Sequence, residues 1–407
     1  MLAPPIPQTI LAKRCLKVAL SGLSILFASK TIRVFVFGMV TVLTPVYLSL
    51  MGYSSLYVGL ALMVIVIGNA LSNTFLTWYG NAFGRKRTLL LFSSLMAISG
   101  GILFISRSFP LIIVALFIGN ISTTGTEAGP FQSIESGVLP KLTSDAGRGR
   151  AFGMYNMLGY SASAIGALAA TVPSFFGGAM PVFRYLYLIY GFVGISLFLL
   201  YRRLPEIEAV KRGIGFRNIS AKARREIRKL SALFSMDALG GGFVTQSLIT
   251  YWFFLVYHVS LQSLGLIFFF VNVITALSIY GASLMAERLG NLRTMVYTHL
   301  LSNVFLILIP ISGSLELGLM FLFLRQSVSQ MDVPTRQAFM AQVFDDDDRV
   351  SANAITNTFR SASAIIGAPI AGLALAQALF SLPFLVGGSS KVAYDLSIFA
   401  AYRKKVK

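Results

Sequence analysis

Ser161-Ala162-Ser163-Ala164-Ile165 recurs as Ser361-Ala362-Ser363-Ala364-Ile365, about two hundred positions further on in a chain of 407 residues. A second match accompanies it. The short basic stretch Asn81-Ala82-Phe83-Gly84-Arg85-Lys86-Arg87 has a counterpart in Glu287-Arg288-Leu289-Gly290-Asn291-Leu292-Arg293. The chain therefore reads as two copies of about 200 residues, far longer than the roughly 20 to 50 residues of solenoid and propeller repeats. In a very apolar chain, duplication on this scale predicts two parallel membrane-embedded halves, the construction of many transporters.

Hydrophobic residues make up 56% of the sequence, charged residues only 12%, and the mean hydropathy is +0.75. A water-soluble domain carries about 25% charge, so most of this surface faces something other than water. Runs such as Val34 to Met51, Leu56 to Thr77, Leu186 to Leu200 and Leu264 to Leu284 approach the roughly 20 residues a helix needs to cross a bilayer. Barrel strands would alternate over about ten residues instead. The pattern predicts an all-α membrane protein with about twelve transmembrane helices, six per copy. Their predicted starts lie near residues 31, 57, 88, 110, 151 and 184, then 230, 261, 294, 316, 351 and 383.

The predicted division is an N-terminal segment over 1–30, containing an amphipathic surface helix over 11–28, and a first six-helix half over 31–203. A basic linker over 204–229 follows, with a short surface helix at Ala221 to Leu230, then a second half over 230–402 and a tail over 403–407. With both termini in the cytosol, all but five of the 34 lysines and arginines fall in cytosolic segments, the exceptions being Arg107, Arg184, Arg325, Arg360 and Lys391. That asymmetry predicts a multi-pass protein of the cytoplasmic membrane with both ends inside. It also assigns the net charge of +19 to loops beside anionic lipid headgroups, with no nucleic-acid partner required. Cys15 is the only cysteine, which excludes an intramolecular disulfide or a thiolate metal cluster. The opening residues lack the order of basic and apolar regions that marks a cleavable signal.

The loop around Gly84 and Arg85 resembles that of the major facilitator superfamily, whose signature there reads G-x-x-x-D-R-x-G-R-[RK]. Gly84 and Arg85 match it and Arg87 continues the basic run, while Thr77, Asn81 and Ala82 replace the first Gly, the Asp and the first Arg. In the second copy Glu287, Arg288 and Gly290 match, Arg293 closes the loop, and Ser283 replaces the first Gly. The resemblance implies two cytoplasmic gate loops, each acid facing the positive end of a helix in the opposite half, a contact of about 0.3 to 1 kcal/mol. Asn81, being uncharged, predicts a weaker latch in the first copy. Stretches at Glu127 to Phe131, Asp237 to Gly242, Met331 to Gln337 and Lys391 to Asp395 are similar to a prokaryotic subgroup of the superfamily whose substrate is undefined.

A charge at the bilayer centre costs at least about 2.5 to 3.5 kcal/mol, which makes each intramembrane ionisable group a candidate. Glu127 and Asp332 precede Pro130 and Pro334 in corresponding places. They read either as surface carboxylates held by Arg148 and Arg336 or as coupling groups. Asp237 lies just before Gly240-Gly241-Gly242, a run that either packs closely or unwinds toward a cavity, and is a candidate proton site. Lys391 and Asp395 are four apart and share a helix face, so the spacing lets them neutralise one another. Arg325 and Arg360 have no local partner; Arg325 reads as an anion site or as the counter-charge of Asp332. Asp345 to Asp348 reads as the charged start of a helix. Pro369, between Gly367 and Gly372, joins the three glycines as a hinge candidate. His258 and His299 are placed near helix ends as satisfied histidines.

Nucleotide-binding and hydrolase motifs are absent from the sequence, so neither an enzyme nor a cofactor is expected. The predicted function is secondary active transport of a small molecule by alternating access, driven by a gradient and coupled to protons through Glu127, Asp237 or Asp332. A monomer is expected. Abundant Phe and Tyr favour an aromatic cavity and efflux of amphipathic compounds. The alternatives are an importer of a metabolite such as an organic acid, favoured if Arg325 or Arg360 faces the cavity, and a non-transporting receptor. The fifth helix lacks the Gly-Pro-rich pattern of the superfamily's drug antiporters, which weighs against export.

Overall fold

The computed structural model describes residues 8–126, 129–139, 142–143, 148–204, 220–344 and 346–404. Its helices are α1 (Gln8–Leu50), α2 (Ser55–Phe83), α3 (Arg85–Ile105), α4 (Phe109–Ile118), α5 (Pro130–Val138), α6 (Arg148–Ala169) and α7 (Met180–Arg202). After the linker come α8 (Ala221–Phe243), α9 (Gln246–Tyr257), α10 (Leu261–Leu289), α11 (Asn291–Leu308), α12 (Leu315–Ser329), α13 (Asp332–Val343), α14 (Asp346–Ala376) and α15 (Leu382–Tyr402). Three pairs, α4 with α5, α8 with α9 and α12 with α13, each form one interrupted pass. The described residues therefore make twelve passes, six in each half. Eight of these are long and apolar enough to cross a membrane on those grounds alone. Outward-facing side chains such as Phe192, Leu199, Phe270 and Leu277 are large and apolar, a surface matched to lipid rather than water.

The repeated small-residue stretch has a packing function. A Cβ on Gly38 of α1 would lie 2.3 Å from the Ser163 carbonyl oxygen of α6, and one on Gly242 of α8 would lie 2.3 Å from that of Ala364 in α14. Both copies thus use one device, a glycine on the first helix of the half pressed against backbone in the serine-alanine stretch of the fifth. Bare backbone lets the helices approach closely enough for van der Waals attraction to act where lipid supplies no hydrophobic drive. The duplicated basic loops match in backbone as well. Gly84 and Gly290 have φ of 88° and 82°, a region L-residues rarely adopt. Their carbonyls accept the amides of Thr88 and Thr294, starting α3 and α11.

The halves meet on α2 with α14 and on α6 with α10. Gly59 abuts Gly372 and Gly265 abuts Thr171, all close to the helix ends opposite the chain termini. One hydrophobic core runs through the first half and the far end of the second, including Tyr47, Leu116, Tyr187, Trp252 and Phe384. A separate core of Ile227, Leu230, Phe234, Met295, Phe339 and Tyr402 fills the terminal end of the second half.

Two predicted boundaries change. No break occurs at residue 30: α1 is continuous, its apolar span begins at Gly22, and Lys30 and Arg33 are buried. Residues 1–7, and the side chains of the predicted surface helix before Gly22, lie outside the described residues. Ala221 to Leu230 is not a separate helix either; it forms the first turns of α8, capped where Ser220 Oγ accepts the Ala223 amide at 3.1 Å. The remainder of the linker, 205–219, lies outside the description. The aspartate run does open a helix: α14 starts at Asp346, and Asp348 accepts a hydrogen bond from Ser220 at 2.9 Å.

Candidate functional site

Four helices deliver charge to one place in the second half. From α8, Asp237 accepts a 2.7 Å hydrogen bond from Lys391 Nζ of α15. Its other oxygen lies 3.5 Å from both Arg336 of α13 and Arg360 of α14. The glycine run makes this possible. Gly240 sits against the Gly387 carbonyl of α15, and a Cβ there would come within 2.9 Å of Lys391 Cγ. The lysine stem therefore lies along α8 in space a side chain would fill. Close packing is the outcome at Gly240 and Gly242, and α8 ends one residue later at Phe243. Asp332 sits 3.1 Å from Arg336.

These groups wall a cavity of about 150 Å³ lined by Asp237, His299, Asn303, Arg325, Asp332, Arg336, Arg360 and Lys391, together with Ser302, Ser329, Gln330 and Val333. Four permanent cations face two carboxylates there. Arg325 donates to Gln326 at 3.1 Å, but its Nε, like Ser329 Oγ, is buried without a hydrogen-bond partner among the described residues. A buried donor left unpaired costs about 1 to 3 kcal/mol, so both atoms gain from an acceptor entering the cavity.

Asp237, Asp332, Arg325, Arg360 and Lys391, flagged separately in the sequence, thus converge. Four expectations are corrected. Lys391 pairs with Asp237 rather than with Asp395 one turn along its own helix. Asp395 instead bonds His299 Nδ1 at 2.8 Å and Asn303 Nδ2 at 2.9 Å, placing His299 inside the bundle rather than at a helix end. Asp332 is buried, not surface-facing, although its partner is Arg336, as the surface reading had it. Among the described residues the cavity lining contains no Phe, Tyr or Trp, contrary to the aromatic cavity expected from composition.

Other candidates stand apart. Glu127 lies outside the described residues, as does the side chain of Asn81. Arg85 donates to the Gly137 carbonyl at 3.1 Å within its own half. Arg87, Glu287, Arg288 and Arg293 are exposed. Pro369 sits inside an unbroken α14.

The first half holds a site the sequence reading missed. Arg33 of α1 and Glu135 of α5, both fully buried, pair through two contacts of 2.6 and 3.2 Å. Glu135 also accepts from Ser29 at 2.7 Å, Tyr155 at 2.6 Å and Tyr201 at 2.7 Å. The guanidinium lies over the Phe131 ring, 4.7 Å from its centroid. With the carboxylate's lone pairs filled, this pair braces four helices.

The sequence profile of the Major Facilitator Superfamily matches residues 26–327 and 257–405. The chain belongs to that superfamily. A yeast relative from Saccharomyces cerevisiae, described as "Uncharacterized membrane protein YJR124C", is 23% identical, covering 93% of this chain and 94% of its own. The solved structure of the nucleoside transporter NupG is similar at TM-score 0.74 and 13% identity, covering 96% of this chain and all of NupG. That of a D-xylose-proton symporter gives 0.71 and 15%, covering 93% and 97%. At such identities the likeness is one of fold.

In this superfamily member two interrupted passes touch across the halves. The Ser247 amide, in the first turn of α9, donates to the Thr123 carbonyl in the gap between α4 and α5 at 3.1 Å. Ser247 Oγ donates to the Thr41 carbonyl of α1 at 2.9 Å. The irregular stretch is held further by Thr41 Oγ1 on the Ser122 carbonyl, Asn69 on Ile121 and Ser163 on Gly125. Broken helix backbone is tolerated at membrane depth where such partners satisfy it.

Proposed function

We propose that this chain is a secondary active transporter of a small organic anion, working by alternating access of its two halves across the cytoplasmic membrane with both termini cytosolic. The observation that carries the substrate class is the charge of the cavity wall: Arg325, Arg336, Arg360 and Lys391 against Asp237 and Asp332. Excess positive charge in a low-dielectric site favours a carboxylate or similar anion, and the unpaired Arg325 Nε supplies a donor for it. Cavity size supports the same choice. Drug-sized ligands occupy pockets of about 300 to 1,000 Å³, whereas about 150 Å³ suits a molecule of a few heavy atoms. Efflux of amphipathic compounds loses the aromatic lining on which that expectation rested.

Orientation rests on the basic loops. The packing of Gly59 on Gly372 and of Gly265 on Thr171 supports a form closed at the end away from the termini, hence facing the cytosol. Rocking of the halves, with loss of the Ser247 contacts between them, would exchange the closed end. The test is binding and flux of two- to four-carbon mono- and dicarboxylates with purified protein in nanodiscs and proteoliposomes. Saturable flux lost in Arg325→Ala and Arg360→Ala supports the reading; a transported solute that is neutral or cationic overturns it.

A further inference from the structure

We infer that His299 is the proton carrier that couples this transporter, and that it couples as a symporter, binding the proton together with the anion. The inference rests on the anionic substrate proposed above. It extends that reading by assigning the coupling group and the sign of coupling.

His299 stands between two carboxylates. Its Nδ1 is 2.8 Å from Asp395 Oδ1, and the second oxygen of Asp395 accepts from Asn303. A carboxylate only accepts, so Nδ1 carries the hydrogen, and in the neutral ring Nε2 bears the lone pair. That lone pair lies 3.6 Å from Asp237 Oδ1, an acceptor facing an acceptor on the cavity wall. Asp237 Oδ1 is meanwhile held by Lys391. The other groups around the ring are Arg325 of α12, Asp332 and Arg336 of α13, Arg360 of α14, and Tyr394 of α15, whose ring is edge-on to the imidazole at 5.9 Å.

A proton arriving through cavity water forms an Nε2–H bond, and the same contact becomes donor to acceptor. Asp237 Oδ1 then has two cationic claimants, His299 and Lys391. The imidazolium satisfies the carboxylate, and the Lys391 ammonium is free to turn toward an anion in the cavity. The wall gains one positive charge as the anion brings one or more negative charges. Loss of the anion reverses the sequence and returns the proton to water. By linkage, whatever factor the proton adds to anion affinity, the anion adds to proton affinity. The mutual preference is for both bound or neither bound, which is symport.

The chain has only two histidines, so the carrier can be watched directly. His258 caps α9 with a left-handed φ of 50°, a conformation asparagine tolerates. The experiment uses full-length His258→Asn protein with ¹⁵N-labelled histidine in nanodiscs, titrated from pH 5 to 9 with and without succinate. The expected result is an Nε2 signal that moves toward the protonated form when succinate is added at fixed pH. Succinate affinity should fall as pH rises, by at most about tenfold per pH unit for one linked proton. His299→Gln should still bind succinate, with no pH dependence between pH 6 and 8. A ring that does not titrate, or titrates with a midpoint indifferent to a succinate that binds, overturns the carrier assignment and leaves the anion reading standing. A titrating ring in protein that binds no carboxylate overturns the anion reading, and the symport with it.

Discussion

Arg33 of α1 and Asp237 of α8 occupy corresponding places in the two halves, separated by the same offset as Gly38 and Gly242, and they carry opposite charges. Arg33 is neutralised in a fully buried site by Glu135. Asp237 is shared among Lys391, Arg336, Arg360 and His299 beside a cavity. The matching register places a charged residue at this position in both halves. One became a brace and the other became part of a wall that can exchange partners.

The brace predicts a non-additive stability series. Removing one member of a buried pair costs about 3 to 5 kcal/mol, because the other charge stays buried and unpaired, while apolar replacement of both is often neutral. Arg33→Leu and Glu135→Leu should each lower the unfolding temperature strongly in detergent, and the double variant should recover most of the loss. Equal loss in the double variant would contradict the assignment.

At the cavity, Arg325→Ala should weaken carboxylate binding by about 10- to 100-fold, the range of a lost charged hydrogen bond of about 1.5 to 3 kcal/mol. Asp237→Asn removes a competing negative charge from Lys391 and should tighten binding. Isothermal titration in nanodiscs checks both signs in one series.

Gly242→Val places a side chain where the Ala364 carbonyl already lies; overpacking of this kind costs about 1 to 3 kcal/mol or more. Gly38→Val should behave alike against Ser163. Gly101→Ala, with open space around its Cβ, should be silent. Thermal unfolding of the three variants reads the difference.

Ser247→Ala deletes the hydrogen bond to Thr41, worth about 0.5 to 1.5 kcal/mol net, from the contact between the halves. The population open at the far end should rise by about two- to tenfold. Spin labels at Tyr57 and Leu379, both exposed near that end, report it as a longer distance on a Cys15→Ser background.

The architecture was legible because its signals are local or periodic: apolar runs of spanning length, a repeated small-residue stretch and paired basic loops. Charges stranded in apolar sequence also marked Asp237, Asp332, Arg325, Arg360 and Lys391. Their partners were not legible. The spacing of Lys391 and Asp395 offers a contact along one helix, whereas Asp237 offers one across a glycine-lined groove that exists only after α8 and α15 pack. Arg33 reads as an interfacial cation because it lies at the edge of a basic segment, and only the folded position of Glu135 shows otherwise. His299 carries no motif at all; its meaning comes from two aspartates on other helices.

The most direct test of the account is proton movement in proteoliposomes loaded with a pH-sensitive dye and given an inward succinate gradient at equal pH. The interior should acidify beyond that of protein-free liposomes, an effect abolished by Arg325→Ala and uncoupled from succinate entry in His299→Gln. Succinate entry without acidification in the unmodified protein, or acidification undiminished in both variants, would contradict it.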